Sequence, residues 1–268
     1  MSSEPIKVLT IAGSDSGGAA GLQADLKTWT ALGVYGMSVV TAVTAQNSMR
    51  VVDIQYMSDE LVLAQLEAVF SDYGTQAVKT GFLGRAGLIR ALAHSLKSYE
   101  PMHLVVDPVL VNHLGQPMFK QDVVEAYRKY LLPQANLITP NRHEAALLVG
   151  LPAEEILAFA DLTKVIEKLH SLGASHVLIT GNCVGDQMVD YWSDGSGLNQ
   201  LSVPRIDTEN RHGSGDTLSA AICAFLAKGD AMGDAIIKAQ QFTAKGIRSA
   251  ASWKLGHGHG PLSHLTEK

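Results

Sequence analysis

The chain has 268 residues, of which 46% are hydrophobic and 18% charged, and its formal net charge is −5. This is an ordinary globular composition, and a chain of this length buries a substantial core without metals or disulfides. The negative net charge and the lack of basic clusters argue against nucleic acid as a main partner. The two cysteines, Cys183 and Cys223, form no zinc or disulfide spacing.

The N-terminal sequence leads directly into a predicted strand, without the charged and then apolar segments of a signal peptide. No apolar run reaches the length that crosses a membrane. We therefore expect a cytoplasmic protein with no membrane partner.

Apolar, β-rich runs alternate along the chain with segments of helical spacing. The predicted strands cover residues 7–12, 37–44, 51–56, 77–80, 103–107, 136–139, 177–180, 186–192 and 198–204. The predicted helices cover residues 19–32, 58–73, 86–99, 121–132, 141–149, 162–172, 216–228 and 230–252. This alternation predicts an α/β fold, with a mostly parallel central sheet and helices on both faces. Since no linker or repeat interrupts it, we expect a single domain over residues 1–268.

Small or polar residues follow several of the predicted strands. In open parallel sheets, ligands bind at the carboxyl ends of the strands. We therefore expect these residues to lie along one rim, together with the loop 213–216. They are Gly13, Gln46, Gly81, Asp107, Asn141 and Thr180.

Residues 210–229 predict a loop that leads into a buried helix. Gly213 and Gly215 allow the backbone to turn sharply, so that several N–H groups point at one spot, and helix N-termini bind anions. Asp216, in the first turn, would stand beside such an anion. Phosphoryl transfer to an alcohol needs both groups, because a carboxylate accepts the hydroxyl proton while backbone donors hold the transferring group. The alternative is an ordinary capped helix.

The glycine-rich segment 11–25 matches neither the dinucleotide fingerprint nor the P-loop. Its backbone offers a surface for a flat ligand, and Asp25 lies in the helix that follows. Gln46 adds an amide, and an acid with an amide suits the edge of an aminopyrimidine or pyridine ring. The alternative is a structural turn with Asp25 exposed to solvent.

Asp107, Asn141 and Glu144 could organise Mg²⁺ through water, together with the phosphates of a nucleotide. The alternative is that Asn141 caps a helix and Glu144 is a surface acid. His257 and His259 suggest a metal site, but no further ligands converge in sequence, so we favour a glycine-rich tail turn.

Six segments, in this order and over nearly the whole chain, resemble the hydroxymethylpyrimidine/phosphomethylpyrimidine kinases of thiamine biosynthesis. They are AGSDSGGAAGLQADLKTWTALGVYGMSVVTAVTAQNS, KTGFLG, VVDPVLV, TPNRHEAALLVG, GSGDTLSAAICAFLAKG and GHGHGP. That family shares the ribokinase-like fold with many pyridoxal kinases. The resemblance implies a kinase that uses ATP and Mg²⁺. It phosphorylates the hydroxymethyl group of 4-amino-5-hydroxymethyl-2-methylpyrimidine, and then the monophosphate.

The resemblance also implies roles for individual residues. Asp216 would be the catalytic base. The pyrimidine would be held by Gly13, Asp25 and Gln46, with Phe82 and Val109 packed near the ring. The anion hole would be formed by Gly213, Ser214 and Gly215. The metal and the ATP phosphates would be arranged by Asp107, Asn141, Glu144 and Thr180, with Asp107 and Glu144 reaching Mg²⁺ through water. We further expect a homodimer.

The chain departs from the family pattern at three places. Asp216 replaces the Cys of many members and matches the wider ribokinase and pyridoxal kinase pattern. The sequence TGN at 180–182 replaces the usual Lys-Gly-Gly, so a cation expected near the nucleotide phosphates is missing. The sequence NHLG at 112–115 replaces the usual small-residue and Ser-Gly sequence of the lid.

Three alternative functions share parts of this sequence pattern. A pyridoxal or pyridoxine kinase of vitamin B6 salvage shares the chemistry and differs only in the ring. A dehydrogenase would need a nicotinamide site, which the glycine spacing does not support. A non-catalytic pyrimidine sensor would not need a base, and the presence of Asp216 argues against it.

Overall fold

A computed structural model describes residues 4–152, 154 and 159–265. The described residues divide into two compact units. The first unit contains residues 4–81, 101–103 and 206–265, and the second contains residues 82–100 and 104–205 with the gaps just given.

Strands and helices alternate as the sequence predicts. The strands are β1 (Lys7–Asp15), β2 (Tyr35–Gln46), β3 (Val51–Tyr56), β4 (Ala77–Thr80), β5 (His103–Val106), β6 (Leu137–Ile138), β7 (His176–Val184), β8 (Gln187–Ser193) and β9 (Leu198–Pro204). The α-helices are α1 (Gly21–Ala31), α2 (Asp59–Asp72), α3 (Ala86–Tyr99), α4 (Gln121–Ala126), α5 (Arg142–Val149), α6 (Phe159–Ser171), α7 (Ser214–Ala227) and α8 (Met232–Ala250). None of the described helices is long and apolar enough to cross a membrane.

In the first unit the strand order is β3-β2-β1-β4. β1 pairs in parallel with β2 and β4, whereas β3 is antiparallel to β2. β1 and β4 are buried almost throughout, as expected for parallel strands covered on both faces. β1 continues beyond its predicted end at Ala12, because a register shift between Ala12 and Ser14 absorbs Gly13 and lets the pairing with β2 resume.

In the second unit the strand order is β5-β6-β7-β8-β9. β5, β6 and β7 are parallel, and β7, β8 and β9 form the predicted antiparallel ribbon. β7 is longer than predicted, since its pairing with β8 shifts register between Ile179 and Asn182 and then continues. Gly181 lies in this shift with a φ of 74°, which glycine adopts without strain. The α/β fold with mostly parallel pairing is therefore confirmed.

The helix ends follow the local sequence. Ser58 caps α2, because its side chain accepts a hydrogen bond from the Leu61 N–H. The predicted helix 121–132 is not a single α-helix: α4 is followed by a π-helical turn over Tyr127–Leu131 and a 3-10 turn over Leu132–Gln134. Pro133 explains this end, since proline cannot continue the helical hydrogen bonds.

Trp29 joins α1 to α7 inside the first unit. Its side chain is fully buried, and its Nε1–H donates a hydrogen bond of 2.8 Å to the Ala220 carbonyl in α7. Gly36 of β2 makes room for the indole, because a Cβ there would lie 2.6 Å from the Trp29 ring. One aromatic side chain of α1 therefore links this helix to α7 by both packing and a hydrogen bond.

We predict that Trp29→Ala lowers the free energy of unfolding by about 3 to 5 kcal/mol, the usual cost of truncating a buried aromatic residue. Trp29→Phe keeps most of the volume and loses the hydrogen bond to Ala220, so it should cost about 1 to 2 kcal/mol. Urea denaturation of both variants measures the difference. Equal losses in the two would contradict a packing role for the indole.

Candidate active site

The turn before α7 has a backbone shape that requires glycine. Gly213 is the N-cap residue, with φ 82° and ψ 10°. A Cβ at this position would overlap the Ala19 carbonyl oxygen in the loop after β1. The turn therefore packs directly on the glycine-rich loop, and both features of the predicted site meet in the first unit.

The first turn of α7 is not capped by a side chain. Ser214 N–H donates to the Arg211 carbonyl at 3.1 Å, which closes the turn. Gly213 has no side chain that could cap the helix, and among the described residues no side chain accepts from the next N–H groups, those of Gly215 and Asp216. Asp216 lies in this first turn, as predicted. An anion placed here would meet two backbone donors and the positive end of the helix dipole.

Asp216 belongs to a cluster of charged side chains in the first unit. Lys79 Nζ, at the third position of β4, lies 3.3 Å from Asp216 Oδ1 and 2.5 Å from Asp25 Oδ1. Asp25 Oδ2 accepts a second hydrogen bond, of 2.6 Å, from Thr10 Oγ1 in β1. Lys79 and Asp25 are fully buried, whereas 15% of the Asp216 side chain is exposed. Asp216 is thus the member of the cluster that a substrate can reach.

The two buried members are held in a dry environment. Burial and the charge of Asp216 raise the pKa of Asp25 to about 7, against the opposing effects of Lys79 and Thr10. Burial also raises the pKa of the nearby Cys223 thiol far above its ordinary value, so Cys223 stays a neutral core residue. The alternative that Asp25 is exposed to solvent is wrong.

Sequence reasoning gave Lys79 no role. The signal was present, because Lys79 is the charged residue in the four-residue strand AVKT, every position of which is buried. A buried lysine needs a carboxylate partner, and the sequence alone does not say which acid supplies it.

Gln46 and His212 lie together near the same loop. Gln46 Nε2 is 3.2 Å from His212 Nε2, and His212 Nε2 is 3.9 Å from Asp15 Oδ2. The Asp15 carboxylate accepts hydrogen bonds from the N–H groups of Gly17, Ala19 and Ala20, so it fixes the glycine-rich loop. His212 and Asp15 were not predicted as site residues, although His212 directly precedes Gly213.

Gly13 lies in the register shift of β1 and is buried. Its carbonyl oxygen faces Gly21, where a Cβ would overlap it. Gly81 follows β4, and a Cβ there would lie 3.6 Å from Lys79 Nζ and 3.9 Å from Asp216 Oδ1. The ends of β1, β2 and β4 therefore deliver the predicted strand-end residues of the first unit to the region around α7.

The second unit contains the acidic group predicted for metal and nucleotide. Asn141 caps α5, and Glu144 completes a capping box by accepting a 3.0 Å hydrogen bond from the Asn141 N–H. The other oxygen of Glu144 accepts from the Leu110 N–H at 3.0 Å. Glu144 is 5% exposed, so the cap in the alternative interpretation is confirmed, whereas the surface acid is wrong.

Asp107 and Glu144 influence each other. Burial and the negative charge of Asp107 raise the pKa of Glu144 to about 8, against the opposing effect of backbone donors from Asn141, Leu110 and Val111. Two carboxylates in this arrangement repel, and a cation would relieve the repulsion. Thr139 Oγ1, in the segment between β6 and α5, is buried and has no hydrogen-bond partner in the part of the chain that the structure describes. This donor set fits Mg²⁺, which usually takes one or two carboxylates and completes its shell with water and phosphate oxygens.

Thr180 lies beside Asn141 at the end of the parallel strands. The two residues form an isolated parallel bridge, and the Thr180 N–H donates to the Pro140 carbonyl at 3.0 Å. The structure therefore brings together Asp107, Asn141, Glu144 and Thr180 within the second unit. Across residues 4–152, 154 and 159–265, no group of three or more His, Cys, Asp or Glu residues could hold a metal by itself.

Phe82 and Val109, the predicted ring contacts, also belong to the second unit. The Phe82 ring lies 5.5 Å from that of Phe119, with a tilt of 52°. Val109 is half-buried next to Asp107. The loop that follows is organised by Asn112, whose side chain accepts hydrogen bonds from the N–H groups of Leu114 and Gln116.

Comparison with known proteins places these features in a family. A model of the phosphomethylpyrimidine kinase family matches residues 15–263. The chain is 44% identical, over 260 residues, to a hydroxymethylpyrimidine/phosphomethylpyrimidine kinase of Rhizobium meliloti, and the match covers 96% of each chain.

Two solved structures are similar over nearly the whole chain. The ADP complex of a Bacillus subtilis pyridoxal kinase has a TM-score of 0.90 at 36% identity, covering 97% of this chain and 98% of that one. A Staphylococcus aureus pyridoxal kinase in complex with AMP-PCP and pyridoxal has a TM-score of 0.89 at 35% identity, covering 98% of this chain and 94% of that one. These similarities confirm the predicted ribokinase-like fold.

His264 contacts the helix that carries Asp216. Its Nε2 lies 2.8 Å from Thr217 Oγ1. Burial and the charge of Lys27 lower the pKa of His264 to about 4, against the opposing effect of Asp216. The folded protein therefore holds this imidazole neutral in a pH range where the unfolded chain protonates it.

We predict that His264 opposes stability in acid, so that on going from pH 7 to 5 the free energy of unfolding of His264→Gln changes more favourably than that of the unmodified protein. The unfolded state binds the proton near pH 6.5 and the folded state only near pH 4, so this group favours unfolding as the pH falls. The buried acids Asp25 and Glu144, whose pKa values are raised, act in the opposite direction in both proteins, so the comparison cancels their contribution. The difference should be about 1 to 2 kcal/mol in urea denaturation at the two pH values. His94→Gln, at an exposed position of α3, is the matched control. Equal pH dependence of His264→Gln and the unmodified protein would contradict this.

Proposed function

Because the chain belongs to the phosphomethylpyrimidine kinase family, we propose that it is a hydroxymethylpyrimidine/phosphomethylpyrimidine kinase of thiamine biosynthesis. It is a phosphotransferase that acts on the hydroxymethyl group of 4-amino-5-hydroxymethyl-2-methylpyrimidine and then on the phosphate of the product. One observation carries the proposal: a carboxylate that a substrate can reach, Asp216, stands in the same helical turn as two uncapped N–H groups.

In the proposed reaction, Asp216 accepts the proton of the substrate hydroxyl. The substrate oxygen uses an electron pair to form a bond to the γ-phosphorus of the nucleotide. The bond from that phosphorus to the β,γ-bridging oxygen breaks, and the nucleoside diphosphate leaves. The N–H groups of Gly215 and Asp216 stabilise the charge that the transferring group carries. Ser214 N–H supports them by closing the turn on Arg211.

For the ring, we propose the Gln46 side chain and the backbone at Gly13 as polar contacts. An amide offers both a donor and an acceptor to the edge of an aminopyrimidine. The sequence resemblance also predicts Asp25 as a ring contact, but a ring reaches its carboxylate only if the buried Lys79 and Thr10 move. Phe82 and Val109 stay predicted apolar contacts.

ATP is the proposed phosphoryl donor, and the nucleotide complexes of the two similar pyridoxal kinases support this choice. Asp107 and Glu144 would hold Mg²⁺ through water, with Asn141 and Thr180 near the nucleotide phosphates. Bound there, the ion would neutralise charge on those phosphates. The buried, repelling carboxylates support this assignment.

Pyridoxal kinase activity is the second candidate. Two observations favour it: the two solved structures compared above are pyridoxal kinases, and Asp216 matches the wider ribokinase and pyridoxal kinase pattern that the sequence resemblance implies, rather than the Cys of many pyrimidine kinases. A homodimer, a cytoplasmic location and a single domain over residues 1–268 also stay proposals.

The deciding experiment measures ATP consumption with the hydroxymethylpyrimidine, its monophosphate and pyridoxal in parallel, with product masses. Turnover of both pyrimidines supports the two-step kinase. Turnover of pyridoxal alone would replace it with the second candidate, and no turnover of any of the three would overturn both.

We predict that Asp216→Asn lowers kcat by about 10² to 10⁴, the usual contribution of a general base, with little change in the affinity for the pyrimidine. Steady-state kinetics and calorimetric titration of the pyrimidine measure the two effects. Asp230→Asn is the matched control, because Asp230 is paired with Lys238 in the turn between α7 and α8. Unchanged turnover of Asp216→Asn would remove Asp216 from the mechanism.

A further inference from the structure

The Lys79 ammonium contacts two carboxylates that differ in their exposure to solvent. The fully buried Nζ contacts Asp25 Oδ1 at 2.5 Å and Asp216 Oδ1 at 3.3 Å. Asp25 is fixed in turn by the 2.6 Å hydrogen bond from Thr10 Oγ1. A buried lysine that only stabilised the fold would need one partner, yet here it also reaches the residue at the start of α7 that solvent contacts.

We propose that Lys79 and Asp25 are positioning residues for the phosphoryl transfer, and that Asp25 acts through Lys79 rather than on the substrate ring. This inference rests on the proposed function, with Asp216 as the base. Lys79 fixes the orientation of the Asp216 carboxylate by holding its Oδ1. The proton from the substrate hydroxyl is then taken by the other oxygen, Oδ2.

Asp25, the buried acid of the cluster, has a role in charge balance. Above about pH 7, where Asp25 is ionised, the three side chains carry one positive and two negative charges before transfer. When Asp216 takes the substrate proton it becomes neutral, and without Asp25 no carboxylate of the cluster would balance the buried Lys79 cation. With Asp25 ionised beside Lys79, the cluster changes from a net charge of −1 to neutral when the base is protonated.

Other titratable groups face this cluster. His264 approaches from the C-terminal segment through Thr217, and it is neutral above about pH 4. The pKa of Cys223, on α7, is raised mainly by burial and is affected by the charges of Asp25 and Lys79, so its thiol stays protonated. Neither changes charge between pH 5 and 8, so pH effects on turnover in that range do not arise from them.

The test compares Lys79→Met and Asp25→Asn with the surface control Lys228→Met, whose exposed ammonium contacts the Leu32 carbonyl. We expect both site variants to lower kcat about 10- to 100-fold, part of what a general base contributes, with KM for the pyrimidine changed less than about threefold. The acid limb of the pH profile of kcat should shift in opposite directions in the two variants. Lys79→Met removes the cation beside Asp216 and shifts the limb to higher pH, whereas Asp25→Asn leaves Lys79 to Asp216 alone and shifts it to lower pH.

Two outcomes would overturn the proposal. A raised KM in Asp25→Asn, with kcat and the pH profile unchanged, would make Asp25 a ring contact. Unchanged kcat in Lys79→Met would make the lysine purely structural. If Lys79→Met does not fold, the double variant Asp25→Asn/Lys79→Met removes both buried charges. Circular dichroism checks its fold, and wild-type kcat in it would likewise refute the proposal.

A failure of the proposed function can be distinguished from a failure of the positioning role alone. If the unmodified protein phosphorylates no pyrimidine, or if Asp216→Asn retains full turnover, the reaction or the base is wrong whatever Lys79 does. If both of those tests succeed and Lys79→Met behaves like Lys228→Met, only the positioning role is lost.

Discussion

The ion cluster of Asp25, Lys79 and Asp216 is the interaction on which the rest of the first unit depends. Lys79 lies on β4, Asp25 on α1 and Asp216 on α7, so one ammonium connects three elements from distant parts of the sequence. Buried charges are costly to leave unpaired. Any displacement of these elements separates the charges, which makes the cluster a strong constraint on how α1 and α7 sit against β4.

The same arrangement explains how a carboxylate and an anion-binding turn can share one helix. A phosphate near Asp216 is repelled by its charge, while the N–H groups of the first turn and the helix dipole attract it. Lys79 lies behind the carboxylate and offsets part of that repulsion. In the proposed site, the turn would therefore hold an anion without losing the base beside it, and this combination is what the proposal adds to an ordinary capped helix.

The sequence predicted most of the fold because its signals are local. The alternation of β-rich runs and helical spacing placed nearly every element, and β3, β4 and α3 match their predicted bounds. Some predicted strand bounds were wrong because they depend on how the strands pair. The register shifts at Gly13 and Gly181 lengthen β1 and β7, and only the partner strand reveals that pairing resumes. The site shows the same limit: the first-turn position of Asp216 is a local property, whereas the burial of Asp25 and Glu144 depends on residues distant in sequence.

The discontinuity of the first unit has a consequence for synthesis. Its strands β1 to β4 come from the first third of the chain, while α7 and α8 come from the last quarter. Gly213 packs on the Ala19 carbonyl, and Asp216 meets Lys79, only after this last segment has been made. Domains generally fold as units while the chain emerges from the ribosome. Until α7 has been synthesised, the charges of Lys79 and Asp25 on the earlier elements are incompletely enclosed, so the nascent chain is exposed to misfolding over this interval.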